Sequence, residues 1–322
     1  MTTPAPAPAP FPLPADGGAV APRPDARALV LGGGGSTGNA WLLGVVAGLL
    51  EGGLDVAGAD LVVGTSAGAT AAAQLAGAGA AELYAAALVP PPARGPVGPR
   101  GPVGPDDAAG PPPPARGGVA EHLARRRALV AAAADPADLR RRTGADALER
   151  AAAAGPDAAG RWRATVAARL PRAGWPAGRL LLTAVDARTG EPVVFDRGSG
   201  VELADAVAAS CAGGPAHPVG DRWFVDGAHR RGENADLAAG CGRVLVLAPL
   251  GGASLTPPAW RLDLAAQVAD LRAGGSRVEV VVPEDPGLFG ERAMDPALRP
   301  VAARAGHDQG RALAGSLAAL WR

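Results

Sequence analysis

Leu61-Val62-Val63-Gly64-Thr65-Ser66-Ala67-Gly68 is the stretch on which the fold turns. Three apolar residues run into a glycine turn, and 67–88 continues as an Ala-rich helical segment. A short apolar run bounded by turn residues reads as a strand buried on both faces. The same order comes before it. Ala28-Leu29-Val30-Leu31 is followed by a Gly cluster at 32–38, then by helical spacing over 39–50 that stops at Gly52-Gly53. Strand, glycine turn and helix, twice over, predict a parallel sheet covered by helices.

Further strands are expected at 180–185, 193–195, 223–225, 244–247 and 278–282, with helices at 119–134, 161–169 and 309–321. The fold class is therefore α/β, a three-layer α/β/α sandwich with a mainly parallel central sheet. Residues 1–25 are rich in Pro and Ala and are expected to form a disordered tail. One domain should occupy 26–322, interrupted by a Gly/Pro-rich insertion at about 90–118. Four Gly-Pro-x triplets run from Gly95 to Asp106, too few to hold a collagen-like helix inside a globular chain.

Composition narrows the function. Basic and acidic residues number 31 each, so no basic surface for nucleic acid is implied. All the basic residues are Arg. The absence of Lys excludes a P-loop lysine, a Schiff-base lysine and a Ser-Lys dyad together. Two cysteines are too few for a disulfide framework, and no H-E-x-x-H pattern or cofactor signature stands out. No apolar run reaches the ~18–20 residues that span a bilayer, and the N-terminus lacks the regions of a signal peptide. A cytoplasmic protein is expected.

The chemistry rests on three turns. Gly64-Thr65-Ser66-Ala67-Gly68 matches G-x-S-x-G between a strand and a helix, where small neighbours let a serine project from a strained turn. The Gly cluster at 32–38 offers consecutive peptide N–H groups, a nest that suits an oxyanion. Gly34-Gly35-Ser36-Thr37-Gly38 matches G-x-S-x-G as well, which makes Ser36 a second candidate nucleophile. Gly33, Gly35 and Gly38 also fit a dinucleotide-binding loop. That reading calls for an acid at the end of the second strand, and Asp60 stands at its start. Asp226-Gly227 closes the strand at 223–225; on its own it is a common turn.

Taken in order, these segments resemble the patatin-like phospholipase family. Residues 29–38 resemble its first strand and Gly-rich loop, and 64–68 its nucleophile elbow. Asp226-Gly227-Ala228 is similar to its Asp-Gly-Gly/Ala motif. The stretches 182–186 and 190–195 look like its middle strands, and Ala208-Ala209-Ser210-Cys211-Ala212 like its Ala-Ser segment. The resemblance runs from about Ala28 to Trp321 and leaves the Gly/Pro insertion unmatched. It implies a Ser66–Asp226 dyad without histidine, with Gly33, Gly34 and Gly35 holding the oxyanion and Gly64 and Gly68 framing the elbow. It further implies hydrolysis of lipid carboxylic esters (phospholipid, lysophospholipid or acylglycerol) through an acyl-enzyme, without cofactor or metal. Thr37 departs from the Arg or Lys usual before the last loop glycine, and Asn234-Ala235-Asp236 from a segment that often ends in Pro. A nucleotide-binding Rossmann-type protein and a catalytically inactive relative remain the alternatives.

His122, His217, His229 and His307 are weaker candidates for a triad base. Arg125-Arg126-Arg127 and Arg140-Arg141-Arg142 read as solvated faces of helices, with contact to anionic lipid at a membrane surface as the lesser alternative, and Cys211 as buried filler rather than a nucleophile.

Overall fold

The computed structural model of the chain describes residues 23–90 and 118–322. Nearly all of the expected tail, residues 1–22, and most of the Gly/Pro insertion lie outside the described residues. The sheet is built from β1 (Arg23–Leu31), β2 (Leu61–Gly64), β3 (Arg179–Asp186), β4 (Pro192–Phe195), β5 (His217–Val219), β6 (Arg222–Asp226), β7 (Cys241–Leu247) and β8 (Arg277–Val281). Its order is β5-β6-β3-β2-β1-β7-β8, with β4 also paired to β3. The five strands from β3 to β8 along this path are mutually parallel, while β4, β5 and β6 add antiparallel pairs.

The strand alternation decides which layer each side chain enters. Leu29, Leu31, Leu182, Leu245 and Leu247 point into one apolar layer. There they meet α1 (Gly35–Glu51), α2 (Ala67–Leu75), α3 (Ala80–Leu88), α7 (Leu203–Ser210) and α9 (Arg299–Trp321). Ala28, Val30, Val63, Val244 and Val246 point the other way, against the turn at Ala235–Ala238 and α8 (Leu264–Ala273). Three layers result, as the alternation predicts. The remaining helices are α4 (Gly118–Ala132), α5 (Pro136–Ala153) and α6 (Ala158–Ala167), and Ala147 of α5 packs on Val185 and Val225.

Several boundaries differ from the sequence expectation. Strand β1 begins at Arg23, because the polar stretch before Ala28 pairs through its backbone with β7: Arg23 faces Cys241 and Arg27 faces Arg243. The single helix expected at 67–88 is two, parted at the turn holding Gly77 and Gly79. Helix α9 starts ten residues before the expected Gln309, and α5, α7, α8 and β5 were not expected at all. Helix α5 carries its own start signal: Asp135 accepts from the Asp138 N–H at 2.8 Å, and Pro136 occupies the first turn.

Helices α1 and α9 approach so closely that backbone meets backbone. A methyl group at Gly44 or Gly48 would overlap the carbonyl oxygen of Ala303 or His307. The contact is reciprocal, since one at Gly306 or Gly310 would overlap the carbonyl of Trp41 or Val45. Glycines that look like helix breakers in the sequence are the seam of the helix pair. Gly48→Val should therefore cost about 1–3 kcal/mol through overpacking. Gly315→Ala, on the same α9 but facing open space, should gain about 0.5–1 kcal/mol from helix propensity alone. Urea unfolding of both variants checks this, and equal effects would contradict the seam.

Candidate active site

Strands β1 and β2 end side by side, Leu31 opposite Gly64, so the turns that follow them are neighbours. Ser66 follows β2 with φ 55° and ψ −117°, a left-handed backbone that costs a non-glycine residue about 1–3 kcal/mol. Its surroundings hold it there. The Ser66 N–H donates to Ser210 Oγ at 3.1 Å, and its carbonyl accepts from the Thr70 N–H at 3.2 Å and the Cys211 thiol at 3.0 Å. Burial pushes the Cys211 thiol up to about 12, which keeps it protonated and able to donate. The expectation of mere filler at Cys211 is thus corrected: it ties the end of α7 to the elbow. Gly68 and Gly64 are required by close approach. A side chain at Gly68 would overlap the Leu31 carbonyl oxygen, and one at Gly64 would sit 2.7 Å from the Ala69 Cα.

Asp226 ends β6, paired with Ala184 of β3, and is 6% exposed. The Ser66 hydroxyl lies close enough to its carboxylate to favour the ionised form. Its Oδ1 accepts from the Ala228 N–H at 2.9 Å. Burial raises the Asp226 pKa from 3.8 to about 6, opposed by the Ser66 hydroxyl, the Ala228 N–H and the charge of Arg126. The two residues brought together are 160 positions apart in the chain. Ser66 is half-buried and Asp226 buried. Two surface hollows of ≈ 420 and ≈ 310 Å³ lie elsewhere, around Trp175 and around Phe289.

A polar knot beneath the pair fixes three strand exits. Asn234, fully buried and left-handed at φ 56°, directs its NH2 to Thr65 Oγ1 (3.0 Å), Thr183 Oγ1 (3.2 Å), and the carbonyls of Gly227 (3.1 Å) and Arg231 (2.8 Å). Its own oxygen accepts from Arg230 at 2.7 Å, and Arg230 is paired with Asp236. Thr65 and Thr183 also share a hydrogen bond of 3.0 Å. A side chain at Gly227 would overlap Thr183 Oγ1, which is the reason for glycine after Asp226.

The Gly-rich loop lies against this pair, with Gly33 next to Ser66. Its amides divide. The Gly33 N–H points to the Gly232 carbonyl at 3.3 Å, whereas the Gly34 and Gly35 N–H groups have no acceptor among the described residues. The Ala67 N–H, first in α2, has none either. Thr37 is buried and gives both its N–H (3.0 Å) and its hydroxyl (3.2 Å) to the Ala293 carbonyl. A cation still reaches the loop: Arg299 of α9 donates to the Ser36 carbonyl at 3.1 Å and to Asn39 Oδ1 at 3.2 Å.

Other candidates fall elsewhere. Ser36 sits in the first turn of α1, with no hydrogen bond to an acid among the described residues. None of the four histidines is hydrogen-bonded to Ser66 or Asp226. His307 stacks on Tyr84 and pairs with Glu51, His217 is buried 4.0 Å from Asp205, and His229 Nδ1 meets Arg126 at 3.0 Å. Asp60 lies at the opposite end of the strands from the Gly loop, accepting from the Arg27 N–H at 2.8 Å. The reading of both Arg runs as solvated faces needs correction, because Arg126 is half-buried within range of the Asp226 charge and Arg140 Nε donates to the Gly190 carbonyl at 2.7 Å. Among the described residues no three His, Cys, Asp or Glu side chains cluster as a metal site would need, and no helix is long and apolar enough to cross a membrane.

No family model matches the chain, and no curated protein matches it. Among solved structures it is similar to the crystal structure of VipD from Legionella pneumophila, at 13% identity and a TM-score of 0.39, over 91% of this chain and 67% of that one.

The knot makes a stability prediction. Asn234→Ala removes the donor shared by Thr65, Thr183 and the carbonyls of Gly227 and Arg231, and should cost about 1–3 kcal/mol. Asn234→Asp keeps the shape but turns a donor into an acceptor among oxygens, and should cost at least as much. Urea unfolding measures both; a harmless Asp at 234 would contradict the assigned hydrogen bonds.

Proposed function

We propose that the protein is a serine acyl-hydrolase acting on carboxylic esters of lipids, with Ser66 as nucleophile and Asp226 as base. One observation carries the reading: the Ser66 hydroxyl, on a left-handed elbow, lies close enough to a buried carboxylate to pull its pKa down, while burial raises that pKa to about 6. A base of that strength is largely ionised at neutral pH and still accepts a proton. The resemblance of the ordered motifs to the patatin-like phospholipases supports the lipid substrate, and the low cysteine count fits a cytoplasmic location.

On this reading the reaction runs in two halves. Ser66 Oγ attacks the ester carbonyl as its proton passes to Asp226. The developing oxyanion is met by the Gly34 and Gly35 N–H groups, which have no acceptor among the described residues. The Ala67 N–H, at the positive end of α2, adds a third donor. The C–O bond to the alcohol breaks, and Asp226 returns the proton to the leaving alkoxide. Water then attacks the acyl-enzyme, Asp226 takes its proton, and the carboxylic acid leaves as Ser66 regains its hydrogen. Gly33, whose N–H is directed to Gly232, shapes the loop against Ser66.

Ser66→Ala and Asp226→Asn should each lower turnover of a p-nitrophenyl acyl ester by at least about a thousandfold while the fold is kept. Unchanged turnover in either variant would refute the dyad. Because the base must be ionised, kcat/KM should rise with pH through an acid limb near 6. Stability should run the other way. Asp226 is harder to ionise in the fold than in the unfolded chain, so its contribution falls as pH rises from about 4 through about 6. Asp226→Asn should therefore be at least as stable as the parent at pH 7, measured by thermal unfolding, and a large loss there would contradict the buried-charge account.

A further inference from the structure

Helix α4 places one guanidinium of an Arg triplet beside the base, and its hydrogen bonds leave half of it unused. Arg126 Nη1 donates to Thr143 Oγ1 of α5 at 3.3 Å and to His229 Nδ1 at 3.0 Å. Both acceptors are neutral. The other donors, Nε and Nη2, have no partner among the described residues, and neither is among the polar atoms sealed from solvent. Neighbouring cations differ. Arg125 pairs with Glu121 at 2.8 Å and Asp146 at 3.3 Å, and Arg150 with Asp146 at 2.6 Å. Arg126 has no carboxylate within salt-bridge distance among the described residues, yet it lies close enough to Asp226 for each to feel the other's charge.

A half-buried guanidinium without a countercharge is costly, and the Nε–Nη2 edge is the one that grips two oxygens of a phosphate or carboxylate at once. His229 extends the feature. Its Nδ1 accepts from Arg126, so the neutral ring carries its proton on Nε2, a further donor with no partner among the described residues. Burial, then the Arg126 charge, holds its pKa well below the usual histidine range, so the ring stays neutral at pH 7. His229 lies three residues beyond Asp226, in the turn Gly227–His229.

We propose that Arg126, with the Nε2–H of His229, forms an anion subsite next to the dyad, and that it selects esters carrying a phosphate group over neutral esters. The proposal rests on the hydrolase reading of Ser66 and Asp226. A bound phosphate supplies the countercharge that Arg126 lacks, and the guanidinium in turn offsets repulsion between that phosphate and Asp226. Phosphate attached to the ester and free phosphate share this chemistry, so the test separates them.

The substrates are a monoacylglycerol and its 3-phosphate, with the same acyl chain and in the same neutral-detergent micelles. The parent should favour the phosphate ester in kcat/KM. Arg126→Gln should shrink the ratio of the two kcat/KM values by about tenfold to a hundredfold, the span of a charge-assisted hydrogen bond. Arg126→Lys, which keeps charge and loses the fork, should fall between. A weaker base would slow both esters alike and leave the ratio untouched. An equal ratio in parent and Arg126→Gln would overturn the subsite. Calorimetric titration of glycerol 3-phosphate and of inorganic phosphate into the Ser66→Ala chain gives a readout free of turnover. Glycerol phosphate binding that weakens at least tenfold on adding Arg126→Gln upholds the subsite even where neither ester is cleaved, an outcome that would count against the hydrolase alone. Binding of inorganic phosphate only would remove the ester-selecting role, and binding of neither would overturn the proposal.

Discussion

The Asn234 carboxamide is the point at which the site is tied together. Its NH2 bonds to Thr65, one residue before the elbow serine, to Thr183 in the central strand β3, and to the carbonyl of Gly227, one residue after the acid. Ser66 and Asp226 belong to strands separated in the sheet by β3, so nothing in the ladder alone sets the distance between their side chains. The buried amide does, and it does so in a medium where an unmade hydrogen bond costs about 1–3 kcal/mol. Left-handed backbone at both Ser66 and Asn234 is the strain that this knot and the Ser210 and Cys211 bonds must outweigh.

The charges around the acid show how a reactive carboxylate is kept within a stable fold. Burial alone would make Asp226 a weak acid held neutral. The Ser66 hydroxyl, the Ala228 N–H and the Arg126 guanidinium pull it back far enough to be ionised at neutral pH. Glu233 is raised in the same direction. It is 4% exposed behind Gly32, and burial, with the nearby charge of Asp263, lifts it to about 7. The two differ in partners: Asp226 has a hydroxyl, an amide and a cation, whereas Glu233 has its own backbone N–H and the nearby charge of Asp263.

Much of this was legible in the sequence. Parallel strands buried on both faces write themselves as short apolar runs, which is why β2, β7 and the second half of β1 could be read. The first half of β1 could not, because Arg23–Arg27 joins the sheet through backbone pairing that leaves no apolar signature. Helix α9 reads from the sequence as starting only at 309, since Gly306 ahead of it looks like a breaker until α1 is seen against it. Ser66 and Asp226 were found through local turn chemistry. Asn234, Ser210, Cys211, Arg126 and Arg299 were missed in their roles, because each acts on a residue distant in the chain and no local pattern records such a contact. Thr37 looked like a lost cation in the Gly loop; the cation arrives from Arg299, more than 250 residues away.

The central claim is that one serine hydroxyl is activated by one aspartate. Reaction of the intact chain with a fluorophosphonate, followed by peptide mass spectrometry, tests it most directly. The account predicts a single adduct on Ser66, formed far more slowly in Asp226→Asn and at a rate that rises through about pH 6 in the parent. An adduct on Ser36, or a Ser66 adduct formed equally fast without the carboxylate, would contradict it.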